Sequence, residues 1–289
     1  MVYRLLAVNI DGTLLQSNGR INKLTKESLE YVYQKGVRIA LVTSRHYHSA
    51  RKIAKAIKAD TMLVANQGAF IGSTHKNPIY IKRISEDLTL EIAQLLEKTH
   101  CQIQLFHEKF MLGNRVNLPD NLLGRAVMYM SEQSIYSQQY VDVLSDELAA
   151  QPVSPQKIDV LFDNREEKEE IVHLVQSIYP EVNVWDLSGS KLSIVAKGVS
   201  KWNGLLRLAE YLDITRNEIV AIGDGIDDLE MVQEAGLGVA MGNAPDSVKK
   251  AAKWVTRTND DQGVPYMLKE FFRKQHQIGF LEKMNILKQ

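Results

Sequence analysis

Four short polar clusters carry residue types that do chemistry. They are Asn9-Ile10-Asp11-Gly12-Thr13, Thr43-Ser44-Arg45, Lys201, and Gly223-Asp224-Gly225-Ile226-Asp227-Asp228. Together they supply what phosphoryl transfer demands, namely neutralisation of phosphate oxygens and alignment of the attacking and leaving groups. Carboxylates at Asp11, Asp224, Asp227 and Asp228 suit a hard, oxygen-ligated ion such as magnesium, and the carboxamide oxygen of Asn9 is a further, uncharged ligand. Hydroxyls at Thr13, Thr43 and Ser44 with backbone amides near Gly12 suit a phosphate, and Lys201 adds positive charge.

Each cluster also has an ordinary structural use. Asp-Gly is a common turn pair. Thr43 or Ser44 could cap the helix that follows, and Asp227 with Asp228 could serve a helix N-terminus, whose dipole favours anions. Lys201 is the misfit, because Ser200 is a good N-cap and a cation in the first turn opposes the dipole. Taken singly these readings compete with function; four clusters at strand and helix ends together favour function.

The elements that must position the clusters follow from the apolar spacing. A buried strand is predicted over Arg4 to Val8, then a helix over Thr25 to Lys35 closed by Gly36 at a left-handed C-cap. A strand over Val37 to Val42, a helix over about His46 to Ile57 and a strand over Met62 to Ala65 continue the alternation. The same grammar returns with a helix over Lys201 to Tyr211, a strand over Glu218 to Ile222, a helix over Asp227 to Glu234 and a strand over Gly238 to Met241. Strand, helix, strand repetition implies an α/β fold with a Rossmann-like, doubly wound parallel sheet, in which ligands bind at the carboxyl ends of the strands. Between the halves the grammar changes to helices (Glu86 to Lys98, Glu166 to Ile178) among alternating strands such as Lys157 to Phe162. This reads as an inserted α+β domain over residues 83–187, with the core formed by residues 1–82 and 188–289. The tail, Lys274 to Gln289, has the apolar spacing of an amphipathic helix through Ile278, Leu281, Met284 and Leu287.

Composition narrows the partners. The 289 residues carry 35 basic and 35 acidic side chains, so no global field draws the chain to nucleic acid or membrane. One cysteine excludes an internal disulfide, and no apolar stretch approaches the roughly 20 residues of a membrane span. A cytoplasmic protein, monomer or weak homodimer, acting on a small phosphorylated metabolite is expected. The scattered histidines give no zinc spacing.

Over nearly its whole length the chain resembles the haloacid dehalogenase superfamily, in its Cof-like phosphatase branch with a large α/β cap. The resemblance rests on Val8-Asn9-Ile10-Asp11-Gly12-Thr13-Leu14, Val42-Thr43-Ser44-Arg45, Ala65-Asn66-Gln67-Gly68-Ala69, Lys197-Gly198-Val199-Ser200-Lys201, Ala221 to Asp228, and Val239-Ala240-Met241-Gly242-Asn243-Ala244. It implies that Asn9 stands where the family esterifies an aspartate with phosphate, and that Asp11 is the general acid and base, its carbonyl on magnesium. It further implies Thr43 as the phosphate hydroxyl, Lys201 as the lysine of phosphate and nucleophile, and Asp224, with Asp228 beside it, as metal ligand. The inserted cap would select the substrate, a sugar phosphate, nucleotide or other small phosphomonoester. Three positions depart from the pattern: Asn9 for aspartate, Ser44 for glycine and Asp227 for asparagine. A neutral amide is a poor nucleophile, so slow turnover is expected. The other reading is a non-catalytic regulator that binds phosphorylated ligands on the same fold.

Overall fold

Continuous runs of Leu, Ile, Val and Ala, apolar on both sides of the strand, belong in a parallel sheet covered on both faces. The computed structural model describes residues 2–74, 78–116, 137–187 and 189–284. The chain opens with β1 (Leu5–Asn9), α1 (Lys23–Gln34), β2 (Arg38–Val42), α2 (Tyr47–Lys55), β3 (Thr61–Ala65), β4 (Phe70–Ser73) and β5 (Tyr80–Ile81). It continues through α3 (Glu86–Leu96), β6 (Cys101–Phe106), β7 (Phe110–Asn114), β8 (Ser137–Val141), α4 (Leu144–Ala150), β9 (Lys157–Phe162), α5 (Arg165–Ile178), β10 (Val182–Asp186) and β11 (Lys191–Ala196). It closes with α6 (Lys201–Tyr211), β12 (Ile219–Gly223), α7 (Leu229–Glu234), β13 (Leu237–Ala240), α8 (Asp246–Ala251), β14 (Trp254–Val255), α9 (Gly263–Phe272) and α10 (Ile278–Lys283).

Two units result, one formed by residues 1–80 with 200–289 and the other by residues 81–199. In the first, the sheet order is β14-β13-β12-β1-β2-β3-β4-β5. Pairing is parallel from β14 to β3 and antiparallel between β3 and β4. Leu5 to Val8 and Ile219 to Ile222 are fully buried, as strands covered on both faces must be. One face packs Leu5, Ala7, Ala40 and Val42 against Trp202, Leu205, Leu208 and Ala209 of α6. Burying a side chain of this size stabilises by roughly 1.5–3 kcal/mol, so α6 is fixed by its own apolar stripe. The chain runs outward from β1 through β2 and β3, and later outward from β12 through β13. The β1/β12 boundary is therefore the switch point at which a crevice opens beyond the carboxyl ends.

Two sequence expectations meet a different structure. The sequence reading returned the chain to the core at residue 188, but β11 pairs with β9 and β10 in the second sheet, and the core resumes at Ser200. The tail helix is short: Ile278 and Leu281 are buried, Met284 is exposed, and Leu287 lies outside the described residues. Gly36, at φ 86°, leaves room there, since a Cβ would lie 2.9 Å from Ile278 Cβ. No helix among the described residues is long and apolar enough to cross a membrane.

The second unit has its own sheet, ordered β10-β11-β9-β6-β7-β8. Ile103, Leu105, Ile158, Val160, Leu192 and Ile194 are buried, and α3 and α5 pack against this sheet. By the alternation of strand side chains, Lys157, Asp159, Lys191 and Ser193 share the opposite face. There Asp159 meets Lys157 at 2.8 Å and Lys191 at 2.9 Å and accepts a hydrogen bond from Ser193. Burial raises the Asp159 carboxyl, but the two lysines and the hydrogen bonds outweigh burial and hold it at about 2, against 3.8 ordinarily. A folded value below the unfolded one stabilises by roughly 2 kcal/mol at neutral pH, fully present above the unfolded value and lost as pH falls through the folded one. The stability deficit of Asp159→Asn relative to the parent protein is therefore expected to shrink by roughly 2 kcal/mol between about pH 5 and about pH 2. Urea titration followed through Trp185, the tryptophan of this unit, measures it; a deficit unchanged with pH would refute the assignment.

Candidate active site

Register brings the clusters together. Asn9 ends β1 opposite Val42 of β2, and Val8 lies opposite Ile222 of β12, so the loops after all three strands leave side by side. In the first loop Gly12 turns at φ 72°, and a Cβ there would lie 2.1 Å from Asp224 Oδ2, which reserves the position for glycine. That turn sets the 10–13 backbone against Asp224, and Asn243 secures it by donating to the Gly12 carbonyl at 2.8 Å.

At the centre lies the Asn9 carboxamide. Its Nδ2 donates to the Asp11 carbonyl at 2.9 Å and to Asp224 Oδ1 at 3.0 Å, while its Oδ1 accepts from Lys201 Nζ at 3.3 Å. Thr13 Oγ1 donates to the same Asp224 oxygen at 2.6 Å. Asp224 is thus a half-buried carboxylate whose described side-chain hydrogen-bond donors, Thr13, Asn9 and the distant Asn243, are all neutral, and partial burial raises its carboxyl above the usual range.

Lys201 is 2% exposed and lies 2.9 Å from Asp227 and 2.7 Å from Asp228. These aspartates explain why a cation sits in the first turn of α6, where the dipole disfavours it. The Ser200 hydroxyl caps that turn, accepting from the Asn203 amide at 3.0 Å. Asp228 also accepts from the Asp224 and Gly225 amides at 3.0 and 2.9 Å, and this tight turn delays α7 to Leu229. Burial, with the charges of Asp227 and Asp224, lifts Asp228 to about 7 against the pull of Lys201. Asp227 also feels burial, but Lys201 holds it below the ordinary value, and the two aspartates together raise Lys201.

The expected metal set of Asn9, Asp11, Asp224, Asp227 and Asp228 is therefore divided. Asp227 and Asp228 are spent on Lys201. The Asp11 carboxylate is gripped by Arg45 through two bonds of 2.7 Å, leaving its carbonyl toward Asn9. Thr43 and Ser44 occupy the loop after β2, but neither caps α2. Thr43 Oγ1 accepts from the Arg45 amide at 3.1 Å, and the cap is His46, accepting from the His48 amide at 3.0 Å.

Gln67 and Asn243 are site residues that spacing alone does not single out, and Arg45, present in the cluster after β2 but given no role there, is the partner of Asp11. Gln67 follows Asn66 in a left-handed pair, φ 51° and 59°, at the end of β3. Such backbone is costly for non-glycine residues and gathers at functional sites. Gln67 Nε2 donates to Asp227 at 3.0 Å, so the strained loop also positions the lysine's partner. The next residue, Gly68, lies against α6: a Cβ there would meet the Ser200 carbonyl at 2.1 Å, and one on Gly204 would meet Gly68 Cα at 2.8 Å. Gly68→Ala, at φ 97°, is expected to lower stability by roughly 2 kcal/mol or more, measured by urea denaturation. A loss below about 0.5 kcal/mol would contradict this close approach.

Residues 6–268 match the haloacid dehalogenase-like hydrolase family. The chain belongs to that family. It is 46% identical to the stress response protein YhaX of Bacillus subtilis over 99% of both chains. It is 26% identical to the 5-amino-6-(5-phospho-D-ribitylamino)uracil phosphatase YcsE of B. subtilis, over 90% of this chain and 92% of that one. A solved haloacid dehalogenase-like hydrolase from B. subtilis superimposes with a TM-score of 0.81 at 23% identity, over 93% of this chain and 99% of the other. That agreement supports the Rossmann-like core carrying an inserted α+β unit.

The family implies magnesium, and the donor set can be tested for it. Among the described residues no three His, Cys, Asp or Glu side chains converge to hold a metal. What does converge, on the Asn9 NH2, is the Asp11 carbonyl and the Asp224 carboxylate. Two oxygens, one of them a half-buried carboxylate whose side-chain hydrogen-bond donors are neutral, suit a small hard cation, and Asn9 Oδ1 becomes a third when its amide turns. The residues fit the ion through Asn9, the Asp11 carbonyl and Asp224.

Proposed function

We propose that this hydrolase cleaves small phosphomonoesters of the sugar phosphate or nucleotide class, magnesium-dependently and slowly. The observation that carries the reading is the buried Lys201, held by Asp227 and Asp228 and directed at Asn9 beside Asp224. Magnesium, when bound by Asp224, the Asp11 carbonyl and Asn9, would supply further charge to neutralise phosphate oxygens. Lys201 contributes the fixed positive charge, in a dry setting that strengthens its field. The amides around Gly12 and Thr13 with the hydroxyls of Thr43 and Ser44 hold the remaining phosphate oxygens, the Thr13 hydroxyl being given to Asp224. The Asp11 carboxyl, once released by Arg45, is the acid and base for the leaving group.

Asn9 cannot form the acyl phosphate of an aspartate, so attack at phosphorus falls to a poorer nucleophile and turnover drops. The phosphatase named among the relatives supports phosphomonoesters as the substrate class, and residues 81–199 are the part that selects among them. A cytoplasmic setting and a monomer or weak homodimer belong to the same proposal. The regulator reading draws on Asn9 alone. Screening small phosphomonoesters with magnesium for released inorganic phosphate separates the two. Slow release from at least one is expected; calorimetric binding with no release from any would favour the regulator.

A further inference from the structure

The two ends of the Asn9 carboxamide differ, and the site uses both. Oδ1 takes the Lys201 ammonium, so Nδ2 faces the Asp11 carbonyl and Asp224 Oδ1. The reverse orientation would set NH2 against the ammonium and oxygen against two oxygens. As it stands, the NH2 does the electrostatic work of a cation between the Asp11 carbonyl and Asp224. A divalent cation entering there must displace it. Turning the amide offers Oδ1 to the cation but leaves NH2 facing Lys201, and Lys201 is buried and tied to Asp227 and Asp228. An anion rich in oxygens relieves that conflict, because it accepts from NH2 and ammonium together.

We propose that Asn9 is an amide switch that makes divalent cation and phosphate bind as a pair, each weak alone. This rests on the metal-dependent phosphate site proposed above. In the resting site the amide satisfies the metal-facing oxygens; in the loaded site the phosphate satisfies the turned amide. An aspartate at position 9 has two equivalent oxygens and no switch. Its carboxylate, beside the Asp11 carbonyl and Asp224, draws the cation in without help from phosphate.

The full chain is titrated with Mn2+, followed by its electron paramagnetic resonance signal, with and without inorganic phosphate and corrected for ion pairing in free solution. Phosphate is expected to tighten Mn2+ binding to the parent protein by roughly tenfold to a hundredfold, the range of ordinary site-to-site coupling. Asn9→Asp should bind Mn2+ tightly with little response to phosphate. Asn9→Ala, which removes the competing NH2, should bind Mn2+ alone at least as well as the parent does. Binding to the parent with the same affinity in both conditions overturns the switch while leaving the metal site standing. A clear loss of phosphate-free Mn2+ binding in Asn9→Ala overturns it too. An absence of Mn2+ binding in every case removes the switch and the metal reading together.

Discussion

Asn9→Asp is expected to raise phosphomonoester hydrolysis in magnesium by roughly a thousandfold or more, the scale on which covalent nucleophiles act. The surroundings that would serve a carboxylate are already in place. Lys201 Nζ lies 3.3 Å from the side-chain oxygen, and the loop glycine that sets the backbone against Asp224 is present. Only the charge and one atom change. The new carboxylate replaces an NH2 that lay 2.9 Å from the Asp11 carbonyl and 3.0 Å from Asp224 Oδ1, so the variant should also lose thermal stability in a chelator and regain it in magnesium. Initial rates of phosphate release for both proteins, on a substrate found by the screen, measure the gain. Equal rates would mean that position 9 is not the attacking position.

Lys201→Met is expected to cost about 3–5 kcal/mol of stability and to abolish phosphate binding. Removing one partner of a buried ion group leaves the others without compensation, and that penalty exceeds the net worth of the intact group. Lys201 is 2% exposed and serves Asp227, Asp228 and Asn9 at once, so no water replaces it without rearrangement. Urea denaturation followed through Trp202, its neighbour on α6, measures the loss. A deficit under about 1 kcal/mol would show that Asp228, lifted by burial to about 7, gives up its charge cheaply when the lysine goes.

The sequence showed the frame of this site more clearly than its wiring. Apolar runs ending at Val8, Val42 and Ile222 announce strands whose carboxyl ends converge, and Lys201 announces itself by opposing a helix dipole. What residue type does not reveal is which partner a carboxylate meets. Asp227 and Asp228 look like metal ligands in a Gly-Asp-Gly run, yet their oxygens face a lysine that is 27 residues from Asp228. Asp11 and Arg45 are 34 residues apart, and their bidentate pair exists only once β1 and β2 lie in register. Gln67 was hidden for a different reason, since a glutamine with φ 59° is held there by its surroundings and not by its own preference. The limit of the second unit lies beyond residue 187 because Lys191 to Ala196 is a strand of that unit, its Lys191 and Ser193 meeting Asp159, a partner that residue type does not reveal.

The contact of Gly68 with Ser200 and Gly204 has a consequence for protein engineering. Backbone touches backbone there, with Val64 the one side chain among the nearest neighbours, so resizing a side chain absorbs little of a mismatch, and the two glycines form one fitting although 135 residues separate them in the chain. A chimera that draws residues 1–80 from one relative and 200–289 from another keeps the lysine in place only when both parents carry glycine at their half of the joint.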